Sequence, residues 1–345
     1  MSKYSIVIAT RNRPAALKLS IPRMLNQSRP PAQLLVVDSS DDHAATVKVV
    51  LEAVGSHPVD LSIFPCERGL TRQRNASLPL IKHSLVFFPD DDSIWFPAVA
   101  SAQLDVYERD LDCQIAAVCG AEEMTPPLDW QLASSGSYQM RRSHRLQQRV
   151  ARLRAKVEDR FFPDPAKILG RSFYPPASAL PKWFAELDVV PVEWMTGFRM
   201  SFRTEVIRKV KFDEAFARYS LFEDIDASFG AWRHGWVVGA RKARIYHYRS
   251  PERRDHGMRL GFEQVINKAY LVAKHAPPGH PAHLAVAKFA HYKAMQYRIG
   301  RSGEFGKQRH AGAQAALKEL AQLAHALPSE LPRTYQGATE RCLEG

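Results

Sequence analysis

The chain has 345 residues, 45% of them hydrophobic, which is enough for one large α/β domain with an appendage or for two domains. Its formal net charge of +12 is uneven: residues 1–140 carry 12 basic and 16 acidic side chains, residues 141–171 carry 10 and 3, and residues 251–345 carry 14 and 8. No apolar run reaches the ~20 residues that span a bilayer, no signal peptide precedes the first apolar run, and Cys66, Cys113, Cys119 and Cys342 lack metal or CxxC spacing; the expectation is a cytoplasmic protein, soluble or peripheral at the inner face of a membrane, with reduced thiols.

Tyr4 to Thr10 is a short β-rich run. Arg11-Asn12-Arg13-Pro14 follows it, and helical spacing then runs through Leu17, Ile21 and Leu25. A second apolar run, Leu34 to Val37, ends at Asp38, and Ser39-Ser40-Asp41-Asp42 can cap a helix toward Val54. A third run, Val59 to Phe64, leads to Gly69-Leu70-Thr71-Arg72-Gln73-Arg74-Asn75 and another helical stretch. Strand, polar turn and helix, repeated, predict a parallel sheet wound with helices.

The fourth run, Ser84 to Pro89, ends in Asp90-Asp91-Asp92. Ligands of open α/β sheets bind at the carboxyl ends of the strands. Adjacent carboxylates there repel one another unless a cation neutralises them. Hard oxygen ligands favour Mg²⁺ or Mn²⁺, which commonly accompany a phosphate substrate. A solvated turn would also use aspartates, so the triplet alone does not decide.

Farther on, Leu146, Val150, Leu153 and Val157 recur at helical spacing within a basic stretch from Arg141 to Arg160. An irregular Pro-rich stretch, Pro163 to Pro181, follows it. Phe198 to Arg203 reads as a strand and Thr204 to Arg208 as a short helix. A helix from Glu223 would place Ile225, Phe229 and Trp232 on one face, with Glu223 and Asp224 at its N-terminus. His247 closes a further strand after Gly239. Helices are predicted around Leu260–Tyr270, His283–Ile299 and Ala313–Ala326, and the last dozen residues read as disordered.

These pieces, in this order, resemble family 2 of the inverting, nucleotide-sugar-dependent glycosyltransferases. The resemblance is carried by Ser5 to Arg13, Val36-Val37-Asp38-Ser39-Ser40-Asp41, Gly69 with Arg74-Asn75, Phe88-Pro89-Asp90-Asp91-Asp92, Thr196-Gly197, Phe202-Arg203, Phe212-Asp213-Glu214 and Phe222-Glu223-Asp224-Ile225-Asp226. It implies a GT-A fold, an α/β architecture with a Rossmann-like, mostly parallel central sheet and flanking helices. The catalytic domain would span residues 1–250, with a basic insertion at about 135–185. Residues 251–345 would form a helical, basic appendage. Two departures stand out. Pro89 replaces the usual apolar residue before the acidic motif, and the QxxRW signature of processive synthases is missing after Asp224.

By the same resemblance, Thr10, Arg11 and Asp38 would bind the nucleotide, with Arg74 close to it. Asp90 would contact the ribose or support the metal, and Asp92 would be the leading ligand of Mn²⁺ or Mg²⁺. Three adjacent acids leave the part of Asp91 open. Asp224 would be the general base, with Glu223 as the alternative. His247 would complete the metal site or make only a hydrogen bond. The donor would be a nucleotide-diphosphate sugar, a UDP-sugar by default, and the acceptor a surface-polysaccharide or lipid-linked glycan. The basic segments suit a peripheral membrane contact. A sugar-activating nucleotidyltransferase would carry a Gly-rich loop after the first strand, where this chain has Arg11-Asn12-Arg13-Pro14. A nucleic-acid-binding protein would suit the net charge, but no RNA-binding signature is present.

Overall fold

The first strands run apolar without a break because both faces of the sheet are covered. In β1 (Tyr4–Thr10) and β2 (Gln33–Asp38) nearly every residue is buried. Successive side chains point to opposite faces. Ile6, Ile8, Leu34, Val36 and Phe87 enter one apolar cluster, while Val7, Leu35, Val37, Val86 and Phe88 enter another. The computed structural model describes residues 2–128, 160–216, 221–248, 257–300 and 302–344. The chain forms two compact units, Met1–Trp130 with Phe173–Glu252 and Gln131–Ser172 with Arg253–Gly345.

The first unit holds a sheet that adds β3 (Asp60–Pro65), β4 (Leu85–Phe88), β5 (Ser93–Trp95), β6 (Ile115–Glu123), β7 (Val189–Pro191), β8 (Met200–Arg203) and β9 (Trp236–His247). The strand order is β3-β2-β1-β4-β8-β6-β9-β5, with β7 pairing β9. β3, β2, β1 and β4 are parallel, the wound arrangement expected from the strand–turn–helix repeats. β8 then runs antiparallel between β4 and β6, β9 runs parallel to β6, and β5 and β7 run antiparallel to β9. Parallel pairing is thus strongest in the N-terminal half, and the rest of the sheet is mixed.

Helices α1 (Pro14–Leu25), α2 (His43–Val54), α3 (Leu70–Ser77) and α4 (Val99–Arg109) connect the early strands. Pro14 opens α1, where its missing N–H costs nothing. The Asp42 carboxylate caps α2 by accepting from the Ala45 N–H at 2.9 Å. α5 (Pro165–Ser172) belongs to the second unit. α6 (Trp183–Leu187) precedes β7, α7 (Thr204–Val210) follows β8, and α8 (Glu223–Trp232) precedes β9. Strand β8 covers only the last four residues of the predicted Phe198–Arg203 strand, because Gly197–Arg199 coils into a 3-10 turn.

The second unit is helical: α5, α9 (Gly257–His275), α10 (Pro281–Ile299), α11 (Gly303–His325) and α12 (Leu331–Glu344). α9 and α11 approach at backbone distance. A Cβ on Gly261 would overlap the Arg309 carbonyl, and one on Gly312 the Met258 carbonyl. The C-terminal residues correct the sequence reading, since they form α12 rather than a disordered end. Leu331, Tyr335, Ala338 and Cys342 are buried, and the Tyr335 hydroxyl donates to Asn267 Oδ1 at 2.8 Å. The basic stretch from Arg141 to Val157, and most of the insertion expected at about 135–185 before α5, lie outside the described residues.

Candidate active site

Sheet order places several chemically active residues at one edge. Thr10 ends β1, Asp38 ends β2, and the two are register partners. Asp90 follows β4 and makes an isolated parallel bridge with Ala9. Gln73 of α3 ties this edge together, its amide donating to the carbonyls of Thr10 (2.9 Å) and Val37 (2.8 Å). The β5–β9 register sets Ser93 opposite His247, so Asp92, one residue earlier, comes beside the imidazole. The Tyr248 N–H donates to the Asp92 carbonyl at 3.1 Å and fixes that approach.

The three aspartates point in different directions. Asp91 turns inward: Thr10 Oγ1 donates to its Oδ2 at 2.8 Å and Arg13 Nη1 lies 2.5 Å from its Oδ1. Asp92 is shared, its Oδ2 lying 2.6 Å from Arg13 Nη2 and its Oδ1 3.3 Å from His247 Nε2. Asp90 Oδ1 lies 3.1 Å from Arg74 Nη2. Asp90, Asp92 and His247 each present one ligand atom, all within 4.8 Å of one another. The His247 ring stacks on Phe198, centroids 4.5 Å apart, which fixes its plane. Two carboxylates and an imidazole can hold a divalent cation, so this donor set fits the kind of ion expected from the sequence, with Asp90 in it and Asp91 outside.

Burial and charge oppose each other here. Burial raises Asp91 against the charge of Arg13, and it likewise raises Asp90 against Arg74. Burial would raise Asp92 too, but the hydrogen bond and charge of His247, together with Arg13, outweigh it and hold that carboxyl well below the usual range.

The second acidic motif sits at the start of α8. Its leading residue Phe222 has φ 73°, a left-handed conformation that is costly for an aromatic residue and turns the chain sharply into the helix. Glu223 is buried, with Oε1 2.5 Å from Arg74 Nη1 and Oε2 without a hydrogen-bond partner among the described residues. Burial pushes its carboxyl up to about 8 despite Arg74. Asp224 is less covered. Its Oδ2 accepts from the Gly197 N–H at 2.8 Å and its Oδ1 from the Ile225 N–H at 2.8 Å. Burial raises its carboxyl against these two bonds. Gly197 lies between the motifs: a Cβ there would stand 3.4 Å from Glu223 Oε1, 3.6 Å from Arg74 Nη2 and 3.7 Å from Asp224 Oδ2.

The acidic motifs, about 130 residues apart in sequence, therefore meet through one arginine. Arg74, expected near the nucleotide, is 1% exposed and bridges Asp90 and Glu223, with its guanidinium 5.2 Å from the centre of the Phe212 ring. Asp38 is buried, accepting from the Ser40 N–H (2.9 Å) and lying 2.8 Å from His43 Nδ1. Arg11 lies at the outer edge of the same loops, 3.1 Å from Asp41. Sequence reasoning missed Arg13. Its only signal was a second arginine in the polar turn after β1, and the partners that make it part of the site come from β4's far end.

Residues 5–163 match the family model described as "Glycosyl transferase family 2". Among solved structures, S. aureus TarS 1-349 in complex with UDP-GlcNAc is similar over 99% of this chain and 92% of that chain, at 14% identity and a TM-score of 0.53. The mannosyltransferase PcManGT from Pyrobaculum calidifontis, in complex with GDP-Man and Mn²⁺, is similar over 99% of this chain and 87% of that one, at 15% identity and a TM-score of 0.50. No curated protein matches. At such identities the structural likeness speaks for the GT-A-like fold, and the family model speaks for the sequence. Together they support a glycosyltransferase of family 2: the sequence match spans just under half of the chain, and the structural likeness shows the fold.

Proposed function

We propose that the chain moves a sugar from a nucleotide-diphosphate sugar to a hydroxyl acceptor, with inversion at the anomeric carbon and with the help of a divalent cation. The observation that carries this reading is the meeting of the two acidic motifs around Arg74 and Gly197. Asp90, Asp92 and His247 would hold Mn²⁺ or Mg²⁺. When bound, such a cation supplies positive charge to a departing diphosphate. Asp224 takes the proton of the acceptor hydroxyl as it attacks. Its partial exposure and its carboxyl raised by burial suit that task better than Glu223, which is covered and tied to Arg74. Attack from the side opposite the leaving group inverts the stereocentre, as in single-displacement glycosidases. Keeping base and cation ligands on separate carboxylates matters, because a metal-bound carboxylate is a poor proton acceptor.

Thr10, Arg11, Asp38 and Asp91 line or brace the nucleotide side at the ends of β1, β2 and β4. UDP-GlcNAc and GDP-Man in the similar structures support a nucleotide-sugar donor and leave the base open between UDP and GDP. A glycan acceptor, lipid-linked or part of a surface polysaccharide, completes the proposal. Peripheral contact with the inner face of a membrane is supported by α10. No described helix is long and apolar enough to cross a membrane, but α10 exposes Leu284 (79%), Met295 (48%) and Ile299 (80%). Lys288 and Arg298 are exposed on the same face, and residues 281–299 contain no acidic side chain. An apolar strip edged by cations suits an anionic lipid surface.

The direct test is thermal stability with UDP, GDP or dTDP, each with and without Mn²⁺. One nucleotide should raise the melting temperature only when Mn²⁺ is present, and Asp92→Ala should abolish the rise. No shift with any pair would remove the donor reading.

A further inference from the structure

We infer that Arg13 is a built-in counter-cation of the acidic cluster, whose charge disfavours a lone divalent cation and so makes cation binding depend on a diphosphate arriving with it. The inference rests on the reading of Asp90, Asp92 and His247 as the cation seat. Arg13 forks across the cluster, Nη1 to Asp91 and Nη2 to Asp92 at 2.5 and 2.6 Å. Bidentate pairing of this kind holds both orientation and charge. Asp91 is anchored from behind by Thr10, so Arg13 has a fixed foot on the inner carboxylate. Its second foot is on Asp92 Oδ2, while Asp92 Oδ1 faces His247. One carboxylate is thus divided between a permanent cation and the seat.

A divalent ion in that seat would face the guanidinium across a single carboxylate group. Like charges at that spacing repel strongly where water is scarce, and Asp91 and Asp92 are nearly covered. Without Arg13 the charge of Asp91 and Asp92 beside the seat would be unbalanced, with Arg74 facing only Asp90 of the three aspartates. With Arg13, part of their charge is already balanced. A diphosphate reverses the sign of the problem, since its negative charge attracts the guanidinium and the metal ion together. The Arg13 side chain is 25% exposed, so part of it is within reach of a ligand. Arg11, two residues earlier, is spent on Asp41 and Ser39 at the edge of the loops. Arg13 is therefore a positioning residue, acting through the charge and orientation of Asp91 and Asp92.

The experiment measures Mn²⁺ binding by electron paramagnetic resonance, without turnover, for the protein alone and with UDP or GDP. In the wild type, the nucleotide should tighten Mn²⁺ binding by about tenfold or more, a coupling that must be reciprocal. Arg13→Gln should bind Mn²⁺ alone about tenfold more tightly and lose a similar factor of nucleotide enhancement, while Arg13→Lys should stay within about threefold of wild type because the charge is kept. Arg13→Gln binding lone Mn²⁺ no more tightly than wild type would overturn the inference. Should that variant fail to fold, Arg13→Gln with Asp91→Asn removes the pair together. Its lone-Mn²⁺ affinity should lie within about threefold of wild type, and a loss of about tenfold would make Asp91 a ligand and overturn the inference. Absence of Mn²⁺ binding in every protein, with either nucleotide, would remove the cation seat itself and the inference with it.

Discussion

At the scale of single residues, Arg74 does the most to join the site. It is fully buried, and it faces Asp90 and Glu223 at 3.1 and 2.5 Å. Removing one member of a buried ion pair leaves the others uncompensated. Arg74→Ala should lower stability by about 3 kcal/mol near neutral pH, measured by urea unfolding. The sign of its pH dependence follows from burial, which raises both partner acids. With Arg74 gone, Asp90 and Glu223 fold more easily protonated than charged, so the deficit should shrink as pH falls. A deficit that grew on acidification would contradict the bridge. The places of Asp90, Asp92 and His247 at or just beyond strand ends and of Asp224 at a helix start were legible in the sequence, because such ends can be counted along the chain, whereas their roles came from the family resemblance. Arg13 and Arg74 were not legible in their present places. Where a long side chain points depends on which loops fold against it, and spacing says nothing of that.

At the scale of elements, the strands and helices of the first half were legible because each is an apolar run closed by turn chemistry. β2 ends at Asp38, and α2 starts at the Asp42 cap, as the sequence indicates. The insertion of β8 antiparallel between β4 and β6 was not legible, because pairing across more than 80 residues leaves no local trace. α12 escaped notice for a different reason. Its buried positions include Tyr335, Ala338, Thr339 and Cys342, a thin apolar stripe among charged residues that is stabilised by packing on α9 rather than by its own pattern. The α9–α11 contact depends on missing side chains. Gly261→Ala should cost about 1–3 kcal/mol by forcing the helices apart, seen as earlier loss of helical signal on heating. An unchanged melt would mean that this close approach is not needed.

At the scale of the whole molecule, the charge separation noticed in the sequence has a structural counterpart. The acids proposed for catalysis lie in the unit built from Met1–Trp130 and Phe173–Glu252, while much of the positive charge lies in the helical unit. A basic, partly apolar helix face serves no evident purpose inside the chemistry, which is why a lipid surface is the proposed partner. The protein should sediment with vesicles containing anionic lipid and stay in solution with neutral ones. Leu284→Asp with Ile299→Asp should weaken that binding by about tenfold or more, given the apolar area lost. Equal binding by both vesicle types, or by the double variant, would contradict it.

The central claim is that two acidic motifs share one pocket and do separate jobs there. Calorimetric titration of the stabilising nucleoside diphosphate, in Mn²⁺, into wild type, Asp92→Ala and Asp224→Asn tests it most directly. Asp224→Asn should bind within about threefold of wild type, because the base acts on the acceptor, whereas Asp92→Ala should lose about tenfold or more. Equal loss in both variants, or full binding by Asp92→Ala, would contradict the division of labour.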